Sequence, residues 1–427
     1  RIIFVIFALL AVQFAEAGVT IQHWVAPSGA KVYFVESRVL PILDVQVDFA
    51  AGSMFDPPGK TGLAGLTRGL LGFGAGNLDE NAIADRLADL GAGIGGGSDS
   101  DRANVSLRTL SAPDKRGPAL DLLRLVLQSP RFEPAIFERE KIRSVSALKE
   151  ALTRPESIAS RAFSATLYPD HAYGRLTMPE GLAALKRDDA VAFYKNFYHA
   201  RNAGITIVGD VSRAEAEKIA EALSVGLPPG GASTLPPAPK LPQASTRKIP
   251  HPATQAHILL GMPAIERGNP DFFPLLVGNY TLGGGGFMSR LMKEVRDKRG
   301  FAYSVYSYFS PLRQAGPFQI GLQTKRAQAD EALKVTRDVL DDFLKNGPSE
   351  AELAAAKANL TGSFPLRLDS NRKILENVAN IGFYGLPLDY LDTYQQKVNA
   401  VTVAAVRQAF AKHVRTENLV TIMVAAD

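Results

Sequence analysis

Arg296 and Tyr303 stand seven positions apart in the stretch from Leu282 to Val305, which also carries Gly283, Gly284, Gly285 and Gly286. A guanidinium and a phenol both donate hydrogen bonds, so the two held close together suit a carbonyl oxygen or a developing oxyanion. Met288, Leu291, Met292 and Val295 recur at helical spacing, and Gly300 follows Lys298 and Arg299 as a helix stop does. The run from Ala302 to Phe309 is rich in Tyr and Val and reads as a strand. Arg296 then lies late on a helix and Tyr303 early on a strand, and a tight turn between them brings the pair together. The glycines admit an anion-binding nest ahead of a helix. No Gly-Lys-Ser/Thr follows them and their spacing is not that of a dinucleotide site, so a flexible or close-packed turn accounts for them better.

Ser289-Arg290-Leu291, Val295-Arg296, Lys298-Arg299-Gly300 and Ala302-Tyr303-Ser304-Val305 form a phrase that resembles the C-terminal half of pitrilysin-family peptidases (family M16), the group that includes mitochondrial processing peptidase. In that family an arginine and a tyrosine at this separation assist a zinc site carried by the other half of the fold, and Arg296 and Tyr303 match them. The resemblance also implies that Gly283, Gly284, Gly285, Gly286 and Phe287 contact substrate, as the glycine loop does in the non-catalytic subunit of mitochondrial processing peptidase.

The first half departs from the family. Catalytic members carry an inverted motif, His-x-x-Glu-His, in which two imidazoles on one helix face bind zinc and the glutamate activates water. The run from Thr61 to Leu70 resembles the flanks of that motif, with Gly65 at the first His position, Arg68 at the Glu position and Gly69 at the second His position. Glycine has no side-chain donor, and an arginine cannot serve as a carboxylate base. Phe137 to Lys141 resembles the phrase ahead of the third ligand, with Glu140 as a supporting carboxylate; the ligand position itself falls on Ser146 or Ala147. No metal is therefore expected in this chain.

Nothing elsewhere rebuilds the site. His23, His171, His199, His251, His257 and His413 are scattered without an i,i+4 pair, and no serine sits in a nucleophile-elbow phrase. His171 and His199 could each bind substrate or act as a base if the fold brought a partner close, and are expected instead to be surface or hydrogen-bonded structural groups. There is no cysteine, which excludes disulfides and thiolate ligands. The 48 basic and 43 acidic side chains leave a net charge of +5 without a dense basic stripe, which argues against nucleic acid.

Strands are expected near 21–25, 30–35, 43–50, 103–110 and 203–208 in the first part of the chain, with helices at 61–71, 80–90, 116–128, 133–149, 155–168, 187–197 and 212–222. Residues 226–242 are crowded with Pro, Gly, Ser, Thr and Ala and lack periodicity. A strand at 256–261, a helix at 272–282, the organising motif, a strand at 316–323 and a helix at 330–343 follow. The strand–loop–helix order at 103–127 recurs at 316–340, as does 134–141 at 348–357, so a diverged duplication is expected. The expected fold is α+β: two related halves, each an antiparallel sheet covered by helices. We place the first unit at 18–228, a linker at 229–250 and the second at 251–427. Arg1, the apolar run from Ile2 to Val12 and Ala15-Glu16-Ala17 read as an export leader over 1–17.

Taken together, the resemblance implies a periplasmic or secreted subunit from a Gram-negative bacterium that has lost zinc catalysis. Its partner would be a homologous zinc-bearing subunit, and Arg296 and Tyr303 would assist there on a peptide or unfolded protein. The alternative is an inert peptide-binding or assembly scaffold.

Overall fold

A computed structural model of the protein describes residues 18–231 and 234–426; the expected leader lies outside them. The first half holds strands β1 (Gln22–Val25), β2 (Lys31–Glu36), β3 (Ile42–Phe49), β4 (Gly93–Gly95), β5 (Ala103–Leu110) and β6 (Ala203–Gly209). Its helices are α1 (Leu63–Leu70), α2 (Glu80–Leu90), α3 (Pro113–Gln128), α4 (Pro134–Ala151), α5 (Pro155–Leu167), α6 (Pro179–Ala183), α7 (Arg187–Phe197) and α8 (Arg213–Ser224). The second half holds β7 (Ser245–Ile249), β8 (Gln255–Ile265), β9 (Ala302–Phe309), β10 (Gly316–Lys325) and β11 (Val420–Val424). Its helices are α9 (Phe272–Asn279), α10 (Ala329–Asn346), α11 (Glu350–Gly362), α12 (Asn371–Tyr384), α13 (Tyr390–Ala400) and α14 (Val403–His413). Residues 226–231 and 234–244 carry no helix or strand.

The two sheets share one topology. The first runs β1-β2-β6-β3-β5-β4 and the second β7-β11-β8-β10-β9. Apart from the β1 hairpin, each places its half's strands in the order first, last, second, fourth, third. In each, the first and last strands are the one parallel pair, β2 with β6 and β7 with β11, and every other pairing is antiparallel. The halves are therefore related, and the sheets are mixed rather than wholly antiparallel.

Strand alternation decides which face meets which helices. On β3, Leu43, Val45, Val47 and Phe49 point into a core completed by Leu63 and Leu70 of α1, Leu123 and Val126 of α3 and Phe193 of α7. Asp44, Gln46 and Asp48 occupy the opposite face and are buried as well. What covers that second face comes from the other half. Helix α12 lies on β2, β3 and β6, joining Leu375, Val378 and Ile381 to Tyr33, Val35 and Val208. Helix α5 repays the exchange by packing Ala159, Ala162 and Phe163 on Val420, Ile422 and Val424 of β11. Two glycines permit the close approach: a Cβ on Gly382 of α12 would fall 2.5 Å from the Tyr33 ring, and one on Gly261 of β8 would fall 2.9 Å from Phe163 Cζ.

Candidate functional site

The segment before β9 is less regular than its apolar spacing predicts. Helix α9 runs into a wide turn at Tyr280–Gly284, closed by Gly285 N–H donating to Tyr280 O at 2.8 Å, five residues back. A tight turn at Gly286–Met288 follows, and then a second wide turn at Met292–Asp297, where Lys298 N–H donates to Lys293 O at 3.0 Å. Met288 is thus off the helix and exposed, while Leu291, Met292 and Val295 are buried as their spacing requires. Gly300, at φ 65°, ends the segment as predicted. Wide turns of this kind carry one extra residue per turn and are favoured where a helix must re-aim side chains.

Arg290 pins this segment to the helices beneath it. Its guanidinium reaches both oxygens of Glu352 at 2.7 and 2.9 Å, Asp342 at 3.0 Å and the Gly347 carbonyl at 2.9 Å. Glu352 also closes the capping box of α11 with Ser349. The Arg290 hydrogen bond is the main cause that holds the Glu352 carboxyl down at about 2, below its ordinary range.

Arg296 and Tyr303 are brought together. The Arg296 guanidinium carbon lies 5.7 Å from the Tyr303 ring centroid and 4.8 Å from that of Phe287, with Asp297 at 3.4 Å. Tyr303 is 88% exposed and Phe287 66%. The position of Tyr303 has a backbone cause. Val305 and Ser307 are buried, so plain alternation turns residue 303 inward as well. Between Ala302↔Thr324 and Val305↔Leu322, however, Tyr303 and Ser304 together oppose Gln323, and this bulge puts Tyr303 outside beside Arg296.

The glycines divide by environment. A Cβ on Gly283 would lie 2.4 Å from Ser307 Oγ, one on Gly284 2.7 Å from Asn279 Nδ2, and one on Gly285 2.6 Å from Tyr280 O. These three are close-packed, as a packed turn requires. Gly286, at φ 56°, meets nothing and leads directly to exposed Phe287. Beneath them Asn279 and Ser307 exchange buried hydrogen bonds, Nδ2 to Ser307 O at 2.9 Å and Ser307 Oγ to Oδ1 at 2.6 Å, which fasten the loop to β9.

β9 is the edge of its sheet, hydrogen-bonded to β10 alone. Ser304, Tyr306 and Tyr308 of that strand line a cavity of about 1060 Å³ with Glu156 and Ser160 of α5. Tyr306 and Tyr308 stack with centroids 5.9 Å apart and planes 8° apart.

At the other predicted site, α1 does pack on α4. A Cβ on Gly69 meets nothing and one on Gly65 meets only Ser98 Oγ, at 3.7 Å, so both leave space where ligands are expected. Arg68 points away from any such role: its guanidinium donates to the Asn104 carbonyl and, at 2.6 Å, to the Gly95 carbonyl, tying β4 to β5. Burial lowers its proton affinity. Ser146 and Ala147 are exposed on α4, and Glu140 pairs with Arg139 at 2.8 Å and Arg143 at 3.6 Å. Among the described residues no group of three or more His, Asp or Glu side chains is placed to hold a metal.

The other histidines have structural partners. His171 Nε2 lies 2.5 Å from Gln314 Oε1, its Nδ1 accepts from Tyr173 N–H, and burial lowers its proton affinity. His199 is also buried, with the same consequence.

Sequence reasoning missed Asp101. Its buried carboxylate accepts from Tyr173 Oη at 2.5 Å, Tyr384 Oη at 2.9 Å and Arg313 N–H at 2.8 Å, joining loops of both halves to α12. An aspartate in a Gly/Ser/Asp-rich loop carries no local sign of this, because its donors lie 72 to 283 residues away.

Residues 32–180 match the insulinase family (peptidase family M16), and residues 184–360 match the peptidase M16 inactive domain. A crystal structure of a peptidase M16 inactive domain from Pseudomonas fluorescens is 39% identical and superposes with a TM-score of 0.92 over 95% of this chain and 97% of that one. The chain belongs to peptidase family M16. Other M16 relatives include the non-peptidase homolog YmxG of Helicobacter pylori, 25% identical over 395 residues (91% of this chain, 90% of that protein). The beta subunit of mitochondrial-processing peptidase from Blastocladiella emersonii is 23% identical over 417 residues (93% and 87%). The zinc that the family implies does not fit this M16 chain: among the described residues no group of three or more His, Asp or Glu is placed to hold a metal, the positions expected for its ligands carry glycine, serine or alanine, and Arg68 is committed to backbone carbonyls.

Proposed function

We propose that this M16 chain is the non-zinc-binding subunit of a heteromeric zinc peptidase, supplying substrate-binding and oxyanion-stabilising groups to a homologous zinc-bearing partner. The observation that carries this reading is the Phe287–Arg296–Tyr303 cluster at the start of an edge strand, in which half-buried Arg296 lies between exposed Phe287 and Tyr303 and a bulge turns Tyr303 outward. A substrate strand adding to β9 would find unpaired backbone groups along the edge and Tyr306 and Tyr308 beyond it. Arg296 and Tyr303 would then donate to the carbonyl on which negative charge develops, while the partner's metal supplies the attacking water. Gly283, Gly284, Gly285, Gly286 and Phe287 form the peptide-contacting loop, with Gly284, Gly286 and Phe287 its exposed members. A division into two units belongs to the same reading, with β7 (Ser245–Ile249), which falls inside the expected linker 229–250, assigned to the second unit through its pairing with β11; so does a periplasmic or secreted location.

The second reading, an inert peptide-binding or assembly scaffold, is favoured by one feature. Arg296 already lies over two rings and beside Asp297, an arrangement that serves packing by itself. Matched complexes with the zinc-bearing homologue separate the two. Arg296→Ala or Tyr303→Phe should slow peptide hydrolysis, by up to about 2.7–4 kcal/mol in kcat, with assembly and partner zinc content unchanged. Unchanged kcat and KM for both variants in intact complexes would establish the scaffold instead.

A further inference from the structure

The second half carries a cavity that the peptidase reading leaves unused. It measures about 470 Å³, within the roughly 300–1,000 Å³ span of small-molecule sites. It lies between the loop after β8, the start of α9 and the connection from α12 to α13. Phe272, Phe273, Leu386, Tyr390 and Val401 give it an apolar wall. The rings are ordered: Phe272 meets Phe273 edge-on at 5.4 Å, and Phe273 lies 5.9 Å from Tyr390.

Two cations line this wall, Arg267 and Lys397, and no carboxylate does. Lys397 Nζ sits 5.7 Å from the Phe273 centroid and 5.9 Å from that of Tyr390. The Arg267 guanidinium carbon lies 5.2 Å from the Tyr384 centroid, and its Nε is buried without a hydrogen-bond partner. Nearby acids are engaged elsewhere. Glu266 accepts from Asn269 Nδ2 at 2.9 Å, and Asp271 is held by Lys412 at 2.6 Å and His413 at 2.8 Å. Neither Arg267 nor Lys397 forms an ion pair among the described residues. Other partly buried cations, such as Arg290 and Arg116, are matched by carboxylates. An unmatched pair over an aromatic floor is complementary to an apolar body carrying one negative head.

We propose that this cavity binds a small amphipathic carboxylate, an aromatic or medium-chain acid whose apolar body lies on Phe273 and Tyr390 and whose carboxylate is held by Arg267 and Lys397. A neutral isostere would fill the same wall but leave both cations unmatched, so the site discriminates by charge.

The test uses the full chain and isothermal titration with 4-phenylbutyrate, decanoate and the neutral control 4-phenylbutanamide. At least one acid should bind ten times or more tighter than the amide. Arg267→Met and Lys397→Met, which keep much of the apolar stem, should each reduce acid affinity toward that of the amide, and Ala405→Phe should obstruct both ligands. Thermal unfolding and circular dichroism establish that each variant is folded. If one charge variant fails to fold, the acid-to-amide ratio on the parent protein and the other variant still decide. Equal affinities for acid and amide, acid binding unchanged in a folded charge variant, or no binding of either acid at millimolar concentration would overturn the proposal.

Discussion

Replacing Asp101 should loosen the junction between the halves by an amount that its geometry sets. The carboxylate is fully buried and accepts from two phenols and one backbone N–H at 2.5, 2.9 and 2.8 Å. Burial is the main cause that raises both Tyr173 and Tyr384 above the ordinary phenol range, with Asp101 adding to it, so both remain donors at working pH. Asp101→Ala strands all three. A hydrogen bond to a charged group contributes about 1.5–3 kcal/mol, and removing the buried charge recovers part of its desolvation cost, so the net loss should be about 3–5 kcal/mol. Asp101→Asn keeps the shape but turns an amide N–H toward a donor. The phenols can rotate their hydroxyls to accept and the Arg313 N–H cannot, so the loss should be smaller, about 1.5–3 kcal/mol. Urea unfolding followed by circular dichroism and by the fluorescence of Trp24 measures both. A double-mutant cycle of Asp101→Ala with Tyr384→Phe should give a coupling of at least about 1 kcal/mol. A loss below about 1 kcal/mol for Asp101→Ala, or strict additivity with Tyr384→Phe, would refute the reasoning.

Arg68→Met should free the Gly95 and Asn104 carbonyls and cost about 1–3 kcal/mol, with faster amide exchange confined first to β4 and the following glycines. The Glu352 carboxyl, held at about 2 in the folded chain against an ordinary 4.5, contributes stability that is complete above pH 4.5 and declines as pH falls from there toward 2. Melting temperatures of Glu352→Gln should therefore lie below the parent's at pH 6 and approach them near pH 2; a constant gap across that range would contradict the assignment. Chelator-treated protein supplied with zinc and desalted should retain less than stoichiometric metal by mass spectrometry and hydrolyse no peptide by itself. One zinc per chain with turnover would reverse the reading of Gly65, Arg68 and Gly69.

Local chemistry made much of the fold legible. Pro134 and Pro155 open α4 and α5 as first-turn prolines, Gly91 and Gly300 close their segments at positive φ, and Ala103–Leu110 and Ala302–Phe309 are strands at the bounds read from the sequence, the latter from its Tyr and Val content. The wide turns at 280–284 and 292–297 were not legible, since apolar spacing fixes which residues are buried but not whether a hydrogen bond skips one residue. The bulge at Tyr303 left a faint trace, a large polar ring in phase with buried Val305 and Ser307, although only the register against Gln323 explains it. Our sequence reading places no element after Lys357. Helix α12 has an ordinary apolar face there, and nothing local says that the face belongs to a sheet more than 160 residues earlier. Arg68 was legible as a lost carboxylate but not as a clamp, because its acceptors are main-chain carbonyls and carry no side-chain signature.

The reciprocal placement of α5 and α12 bears on how such a molecule arises and how it fails. A single ancestral half would leave the outer face of its sheet bare, and two copies trading one helix each would cover both faces at once, as in a domain-swapped dimer. Fusion of the two genes through a proline-rich tether then makes the trade intramolecular and raises the effective concentration of each helix at its sheet. By the same logic, a nick in the tether at 234–244 should leave an interlocked pair that co-purifies. Either piece synthesised alone would instead expose Tyr33, Val35 and Val208, or Val420, Ile422 and Val424, and invite aggregation.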